Sequence, residues 1–387
     1  MQQSAIHKRL AFGRRSTRRP PRQASRPESI PRTLAGRMDL PFLLLTILLT
    51  VLGLVMLFSA SFPSASYKQG DPAYFLKRQA IFALLGMAAM VVMSRMDYHR
   101  LRGMAKILMY VSIFLLVLVL VPGVGIKENG ATRWLGKVGV LTFQPSEIAK
   151  LAIIVYFADS ISKKKNLMES FKYGVRPYLL TLAFFSGLML LEPHLSGTIL
   201  IVGTGVVLMI VGGIDKRWAI GGIGSVAALG FTYVKLVEAG VISYGADRIR
   251  MWEDPWIDAL DEGLGKGRQK FLYLPEEHND FIFAVVCEEL GLIGAALVML
   301  IFALLILRGF WVALQARDRF GALLVVGIMT QISLQTFLNI AVVSGLVPAT
   351  GISLPFFSYG GTALALQLFE MGIVLSVSRQ IPAPRGG

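Results

Sequence analysis

The sequence predicts an all-α polytopic membrane protein with about ten transmembrane helices and both termini cytoplasmic. Three observations predict it. Hydrophobic residues make up 54% of the 387 residues and charged residues only 16%, whereas soluble domains carry about a quarter charged residues. Apolar runs at 40–61, 106–122, 198–211 and 291–307 hold few charges or none, and several reach the roughly 20 residues that a bilayer crossing requires. Lys and Arg also concentrate in alternate loops, as they do on the cytoplasmic side of membrane proteins. Spans are predicted near 40–61, 79–94, 105–122, 146–161, 176–192, 197–213, 218–236, 281–307, 320–344 and 361–380.

Taken in order, the chain opens with a tail, 1–38, that holds ten Lys or Arg against the single acid Glu28. Pro and Ser are interspersed and apolar content is low, so the tail is expected to be disordered, cytoplasmic and close to anionic headgroups. It lacks the apolar segment that follows the basic region of a signal peptide. The net charge of +15 resides largely in this tail and in the inside loops, which argues for a membrane surface and against a nucleic-acid partner. A transmembrane domain, 39–380, and a short C-terminal tail, 381–387, follow.

With the tail inside, the inner loops carry Arg95, Arg100, Arg102 and Lys106, then Lys163, Lys164, Lys165, Lys172 and Arg176, then Lys216 and Arg217, then Arg308, Arg317 and Arg319. The outer loop 237–280 reverses the balance, with ten acids against five bases. Cys287 lies in a predicted span and has no second cysteine to pair with, so it reads as a small buried apolar residue. There is no Walker A loop and no dinucleotide-binding glycine motif. No nucleotide and no haem is expected, and any chemistry belongs to the membrane domain itself.

Four stretches place polar residues against the hydrophobic grain. After the third span, G-A-T-R-W at 130–134 leads into F-Q-P-S-E-I-A-K at 143–150. Pro145 suits the first turn of a helix, which sets Glu147 and Lys150 three apart and within reach of each other. They form either an ion pair that holds the bundle or charges lining a substrate groove, as ionisable residues within membranes commonly do. The turn L-E-P-H-L-S-G-T at 191–198 is explained by Pro193 and Gly197; Glu192 and His194 could join a site, the alternative for His194 being a solvated loop residue. The segment G-L-V-P-A-T-G-I-S-L-P-F-F-S-Y-G-G-T at 345–362 is too rich in Pro and Gly for a regular helix. Irregular backbone at membrane depth must be covered by protein or water, so it is expected to form a re-entrant wall of a cavity.

The fourth stretch is Y-L-P-E-E-H-N-D-F-I-F-A-V-V-C-E-E-L-G at 273–291. Pro275 is expected to start a helix whose first turn holds Glu276 and Glu277, where the helix dipole favours negative charge. Asp280 stands where the apolar run begins. Helical periodicity puts Glu288 on its flank about 12 Å deeper and sends Glu289 to another helix. A carboxylate at the outer boundary, with Arg268 and Lys270 nearby in sequence, suits a general base. An inert capping charge is the alternative.

These motifs resemble the SEDS family (shape, elongation, division and sporulation), which includes FtsW, RodA and SpoVE. The matching elements are G-x-x-R-W, Q-P-S-E-x-x-K, E-P-H-x-S-G-T, R-Q-K-F-x-Y-L-P-E-x-H-N-D-F-I-F-A, E-E-L-G and the block from Asn339 to Gly361. They run in family order, with details closest to the FtsW/SpoVE branch. The resemblance implies a peptidoglycan glycosyltransferase that polymerises lipid II, an undecaprenyl-pyrophosphate-linked disaccharide peptide. It implies Asp280 as the catalytic base, Arg133, Glu147, Lys150, Arg268, Lys270, His278 and Ser358 in substrate binding, and Glu276 and Glu288 in support. A divalent cation (Mg or Mn) is an expected cofactor, and a class B penicillin-binding protein and other division proteins are the implied partners. The implied location is the bacterial cytoplasmic membrane at the division septum. A lipid II flippase and a non-catalytic scaffold for the penicillin-binding protein are the competing functions. One family element is missing: D-P-W-I-D-A-L-D-E-G at 254–263 passes directly to L-G-K-G-R-Q-K, without the intervening Gly- and Gln-rich stretch, so the outer loop is expected to be short and its groove altered.

Overall fold

The computed structural model describes residues 36–128, 131–137, 141–164, 167–222, 224, 232, 235, 279–348 and 350–381. The chain divides into 1–34 and 35–387, and every described residue belongs to the second unit. The expected disordered tail therefore lies almost entirely outside the described residues, as do the outer loop up to His278 and the C-terminal tail beyond Ile381.

The described elements are α1 (Leu40–Gln69), α2 (Tyr74–Arg95), α3 (Arg100–Leu120), β1 (Ile126–Glu128), β2 (Ala131–Lys137), β3 (Leu141–Phe143), α4 (Pro145–Lys163), a π-helical turn (Phe171–Val175), α5 (Arg176–Leu191), α6 (Leu195–Val211), α7 (Ile282–Gln315), α8 (Arg319–Val343) and α9 (Gly361–Ser378). Among the described residues, seven helices are long and apolar enough to cross a membrane: α1, α2, α3, α5 with its π-helical turn, α7, α8 and α9. Helix α6 is apolar but shorter. Helix α4 occupies the predicted fourth span, and its opening turns carry the charged pair Glu147 and Lys150. The predicted span 218–236 falls mostly outside the described residues.

Local chemistry sets the helix ends. Asp39 caps α1 by accepting from the Phe42 N–H at 3.0 Å, Pro41 occupies the first turn, and Gly70 ends the helix in the left-handed region, which glycine adopts without steric cost. Helix α1 outruns its predicted end because the polar residues after 61 still suit a helix; Ser66 Oγ, for instance, donates to the Phe62 carbonyl at 2.8 Å. Between α3 and α4 the chain forms an antiparallel meander in the order β1-β2-β3, where the sequence reading expected a loop. Helix α7 bends at Gly291, whose φ of 63° favours glycine, and this separates a short arm, 282–290, from the long helix beyond.

The core centres on α8 and α9, the most buried of the spanning helices. Helices α2 and α9 pack closely through small residues. A Cβ on Gly86 would stand 2.8 Å from the Ala365 Cα, and one on Gly372 would stand 2.7 Å from the Met90 carbonyl oxygen. Such close approach is how helices associate where lipid removes the hydrophobic drive. Large apolar side chains such as Leu84, Phe114, Leu292 and Ile293 are exposed, as a lipid-facing surface requires. Cys287 is exposed too, contrary to the buried position expected, because its face of the short α7 arm turns away from the core.

The end of the bundle that carries the predicted inner loops is tied by polar contacts. Arg308 Nε is 3.0 Å from both carboxylate oxygens of Asp39, and its guanidinium lies 4.0 Å from the centroid of the Trp311 ring. Asp318, the N-cap of α8, accepts from Tyr98 Oη at 2.7 Å and faces His99 Nε2 at 3.1 Å. The hydrogen bond to Asp318 leads in raising the His99 pKa, with Asp97 adding to it. Burial pushes Asp318 up, but hydrogen bonds with His99, Tyr98 and the Gly321 N–H outweigh it and hold the carboxyl at about 2.

Candidate active site

The segment between α8 and α9 is irregular, as its Pro and Gly content led us to expect, and side chains satisfy part of its backbone. Four buried or half-buried amides do most of this. Gln79 of α2 donates to the Ser358 carbonyl at 3.1 Å and accepts from the Gly360 N–H at 3.2 Å. Gln335 of α8 donates to the Ser353 carbonyl at 3.0 Å, and Gln367 of α9 accepts from the Phe356 N–H at 3.0 Å. Asn339 of α8, fully buried, donates to the Ile352 carbonyl at 2.6 Å. An amide side chain carries both donor and acceptor, so it can replace the helical partners that Pro and Gly remove. Helix α1 approaches the segment at Gly53, where a Cβ would stand 2.2 Å from the Phe356 carbonyl oxygen.

One of these amides, together with a serine, holds the turn that carries the catalytic candidate. Asn339 Nδ2 also donates to the Asp280 carbonyl, at 2.8 Å. Ser358 Oγ donates to the Asn279 carbonyl at 2.6 Å while accepting from the Leu354 N–H at 2.7 Å. Two side chains rooted in the core thus hold the backbone of the 279–280 turn, and half-buried Asp280 projects from it. Helix α7 starts after this turn, at Ile282, so Asp280 precedes the helix instead of lying on its face. Glu288 is exposed. Glu289 does meet another helix, accepting from Ser59 Oγ of α1 at 2.5 Å.

A second polar group lies at the meander. Glu147 and Lys150 pair at 2.9 Å, with the lysine 4% exposed. Glu370 of α9, 1% exposed, is close enough for both to act on it electrostatically, and Gln331 hydrogen-bonds to it. The α5–α6 turn closes over this group. Arg133 of β2 donates to the Pro193 carbonyl, and Gln144 Nε2 lies 3.2 Å from His194 Nε2. Glu192 is 1% exposed, and His194, which could have been a solvated loop residue, is 7% exposed. Burial pushes the Glu192 pKa up to about 8 against the pull of Arg133. Burial, reinforced by Arg133 and Lys150, pushes the His194 pKa down to about 3.

The predicted site residues therefore separate into groups. Asp280 and Ser358 come together at the 279–280 turn, and Glu147 and Lys150 lie within the bundle beneath the meander that carries Arg133. Arg133 and Ser358, read from sequence as substrate contacts, both make hydrogen bonds that hold backbone. Arg268, Lys270, Glu276 and His278, and the helix expected from Pro275, lie outside the described residues. The sequence reading assigned no role to Asn339, Gln79, Gln335, Gln367 or Glu370. Their signal was present all the same: an amide or carboxylate inside an apolar helix rarely occurs without a function. No group of three His, Cys, Asp or Glu among the described residues could hold a metal ion, so the expected divalent cation finds no donor set there.

Comparison with known proteins decides the family. The pattern of the FtsW/RodA/SpoVE cell cycle proteins matches residues 39–264 and 260–382. The chain belongs to that family. Its two matched segments overlap at 260–264. Among similar FtsW/RodA/SpoVE proteins is a probable peptidoglycan glycosyltransferase FtsW from Geobacter metallireducens, 40% identical, with 89% of this chain and 96% of that protein covered. Stage V sporulation protein E of Bacillus subtilis is 41% identical, with coverages of 88% and 97%. The rod shape determining protein RodA of Thermus thermophilus superposes with a TM-score of 0.68 at 29% identity, covering 90% of this chain and 98% of that one. A chain from a peptidoglycan synthase complex, solved to explain how polymerization and crosslinking are coordinated, superposes with a TM-score of 0.72 at 30% identity, with coverages of 88% and 98%. The family fold is that of a multi-pass helical membrane protein, and this chain shares it.

Proposed function

We propose that this chain is a peptidoglycan glycosyltransferase that polymerises lipid II during division or sporulation, with Asp280 as general base. The 4-hydroxyl of one lipid-linked disaccharide attacks the anomeric carbon of another. Its proton passes to the Asp280 carboxylate as the new C–O bond forms. The anomeric C–O bond to the diphosphate breaks, undecaprenyl pyrophosphate departs, and the anomeric centre inverts. Arg268 and Lys270 are the cations assigned to the departing diphosphate.

The observation that carries this reading is the clamp on the 279–280 turn by Asn339 and Ser358. A general base must be held in place before substrate arrives, and a merely solubilising surface carboxylate needs no such support. The names of the FtsW relatives support the reaction class. The synthase complex supports a crosslinking partner, which we assign to a class B penicillin-binding protein, and the septum is the site of action this reading expects. Purified protein with that partner, given fluorescent lipid II, should make glycan chains. Asp280→Asn should stay folded and make none; chain synthesis at the parental rate by a well-folded Asn variant would defeat the assignment.

A further inference from the structure

At the end of the bundle that carries the predicted inner loops, a half-open pocket of about 380 Å³ lies where the start of α1 meets the ends of α2 and α9. Its walls combine two chemistries. Met38, Leu43, Met90, Val91 and Leu375 supply an apolar floor, and Arg95 and Arg379 supply cations. Gly36 closes one side by donating its N–H to the Arg379 carbonyl at 2.6 Å.

The positive charge there is not neutralised. The two acids beside the pocket in sequence are already engaged, Asp39 by Arg308 at 2.9 Å and Asp97 by His99 at 2.7 Å and by Gln380 at 3.0 Å. The Arg95 side chain makes no hydrogen bond or ion pair among the described residues. Arg379 donates from Nη1 to the Ser94 carbonyl at 3.3 Å, which leaves most of its donors unused. Both cations stand at helix C-termini, whose dipoles favour positive charge, and this explains their tolerance without supplying a counter-ion. Flanking Leu40, Leu44 and Val92 are exposed, so the pocket's rim continues into the lipid-facing surface. Positive-inside patterning places this end in the inner leaflet.

We infer that this pocket binds the headgroup of an anionic glycerophospholipid of the inner leaflet. The phosphate sits between Arg95 and Arg379, and the first part of an acyl chain lies against Leu43 and Val91. Apolar floor and paired guanidinium groups together match a lipid and not a free anion, and basic pockets between helices on the cytoplasmic side are the usual form of such sites. The basic residues of 1–38 add a general attraction to anionic membranes, which a test must separate from the pocket.

The test uses the full chain in neutral detergent, titrated with dioleoyl phosphatidylglycerol and, separately, dioleoyl phosphatidylcholine, with retained lipid counted by native mass spectrometry. Phosphatidylglycerol should be retained in preference to phosphatidylcholine. At a contribution typical of a cation near a membrane surface, the double variant Arg95→Gln/Arg379→Gln should bind it about 30-fold more weakly. Leu43→Trp, which fills the floor and keeps both arginines, should weaken it as well and covers the case in which the double variant does not fold. Arg217→Gln, an exposed cation outside the pocket, should leave retention unchanged. Undiminished retention in both pocket variants, an equal loss in Arg217→Gln, or displacement by millimolar inorganic phosphate would each overturn the inference.

Discussion

Replacing Asn339 by Leu tests the clamp directly. The side chain is fully buried and its Nδ2 serves two carbonyls, Ile352 at 2.6 Å and Asp280 at 2.8 Å. Leucine fills nearly the same volume, so the packing term is small and the effect isolates the two hydrogen bonds. A buried acceptor left without a donor costs about 1–3 kcal/mol. The Ile352 carbonyl should show most of that cost, and the carbonyl of half-buried Asp280 less, so a net loss of about 2–3 kcal/mol is expected. The functional cost adds to it. Releasing the 279–280 turn displaces the carboxylate, and a shift of about 1 Å at a reacting group costs roughly 100-fold in rate. Thermal unfolding in detergent reads the first quantity and fluorescent lipid II polymerisation with the partner protein reads the second. Asp280→Asn should lower the rate alone, whereas Asn339→Leu should lower both. A variant with parental stability and parental rate would refute the clamp as the source of positioning.

Lys150→Met should destabilise more than Glu147→Gln, because it leaves both Glu147 and Glu370 without their cation. Removing the pair together should cost less than Lys150→Met, since an uncompensated buried charge is worse than an absent pair; additive losses in melting temperature would contradict this. Glu192 has its pKa raised to about 8 by burial, so the folded state holds a proton that the unfolded state releases above about 4.5. Its contribution to stability therefore falls as pH rises across that interval, and Glu192→Gln should raise the melting temperature at neutral pH, by an amount that grows up to about pH 8 and then levels. At the opposite end, His99 has its pKa raised, chiefly by Asp318. The stability it lends is complete below its unfolded value near 6.5 and fades as pH rises through the folded value. His99→Gln should flatten the melting curve's pH dependence above neutrality, and an unchanged slope would count against the contact.

Much of the site was legible in the chain order. The spacing of Glu147 and Lys150 fixed their pairing, because residues three apart on a helix must be neighbours. Pro and Gly density announced the irregular backbone before Gly361, although the stretch read as non-helical ran on to 362, inside α9. Asp280 stood out because a carboxylate at the edge of an apolar run is costly without a purpose. The readings of His194 as solvated and of Cys287 as buried went astray because burial depends on how the chain packs around a residue. Glu192 and His194 became buried because Arg133 and Gln144, some 50–60 residues earlier, close over the turn. Cys287 is exposed on the short α7 arm that precedes the bend at Gly291.

The sequence by itself determined that this is a multi-pass helical protein, to which family it belongs, and which carboxylate is the candidate base. Hydropathy, positive-inside patterning and motif order are properties of the chain, and lipid enforces them on every helix regardless of its neighbours. Only the tertiary structure decided how that carboxylate is held. Asn339 and Asp280 lie 59 residues apart, and Ser358 and Asn279 lie 79 apart. Hydrogen bonds of that separation exist only once α8 and the irregular segment have packed around the turn, because a hydrogen bond is short and directional and its partners must first be brought within about 3 Å.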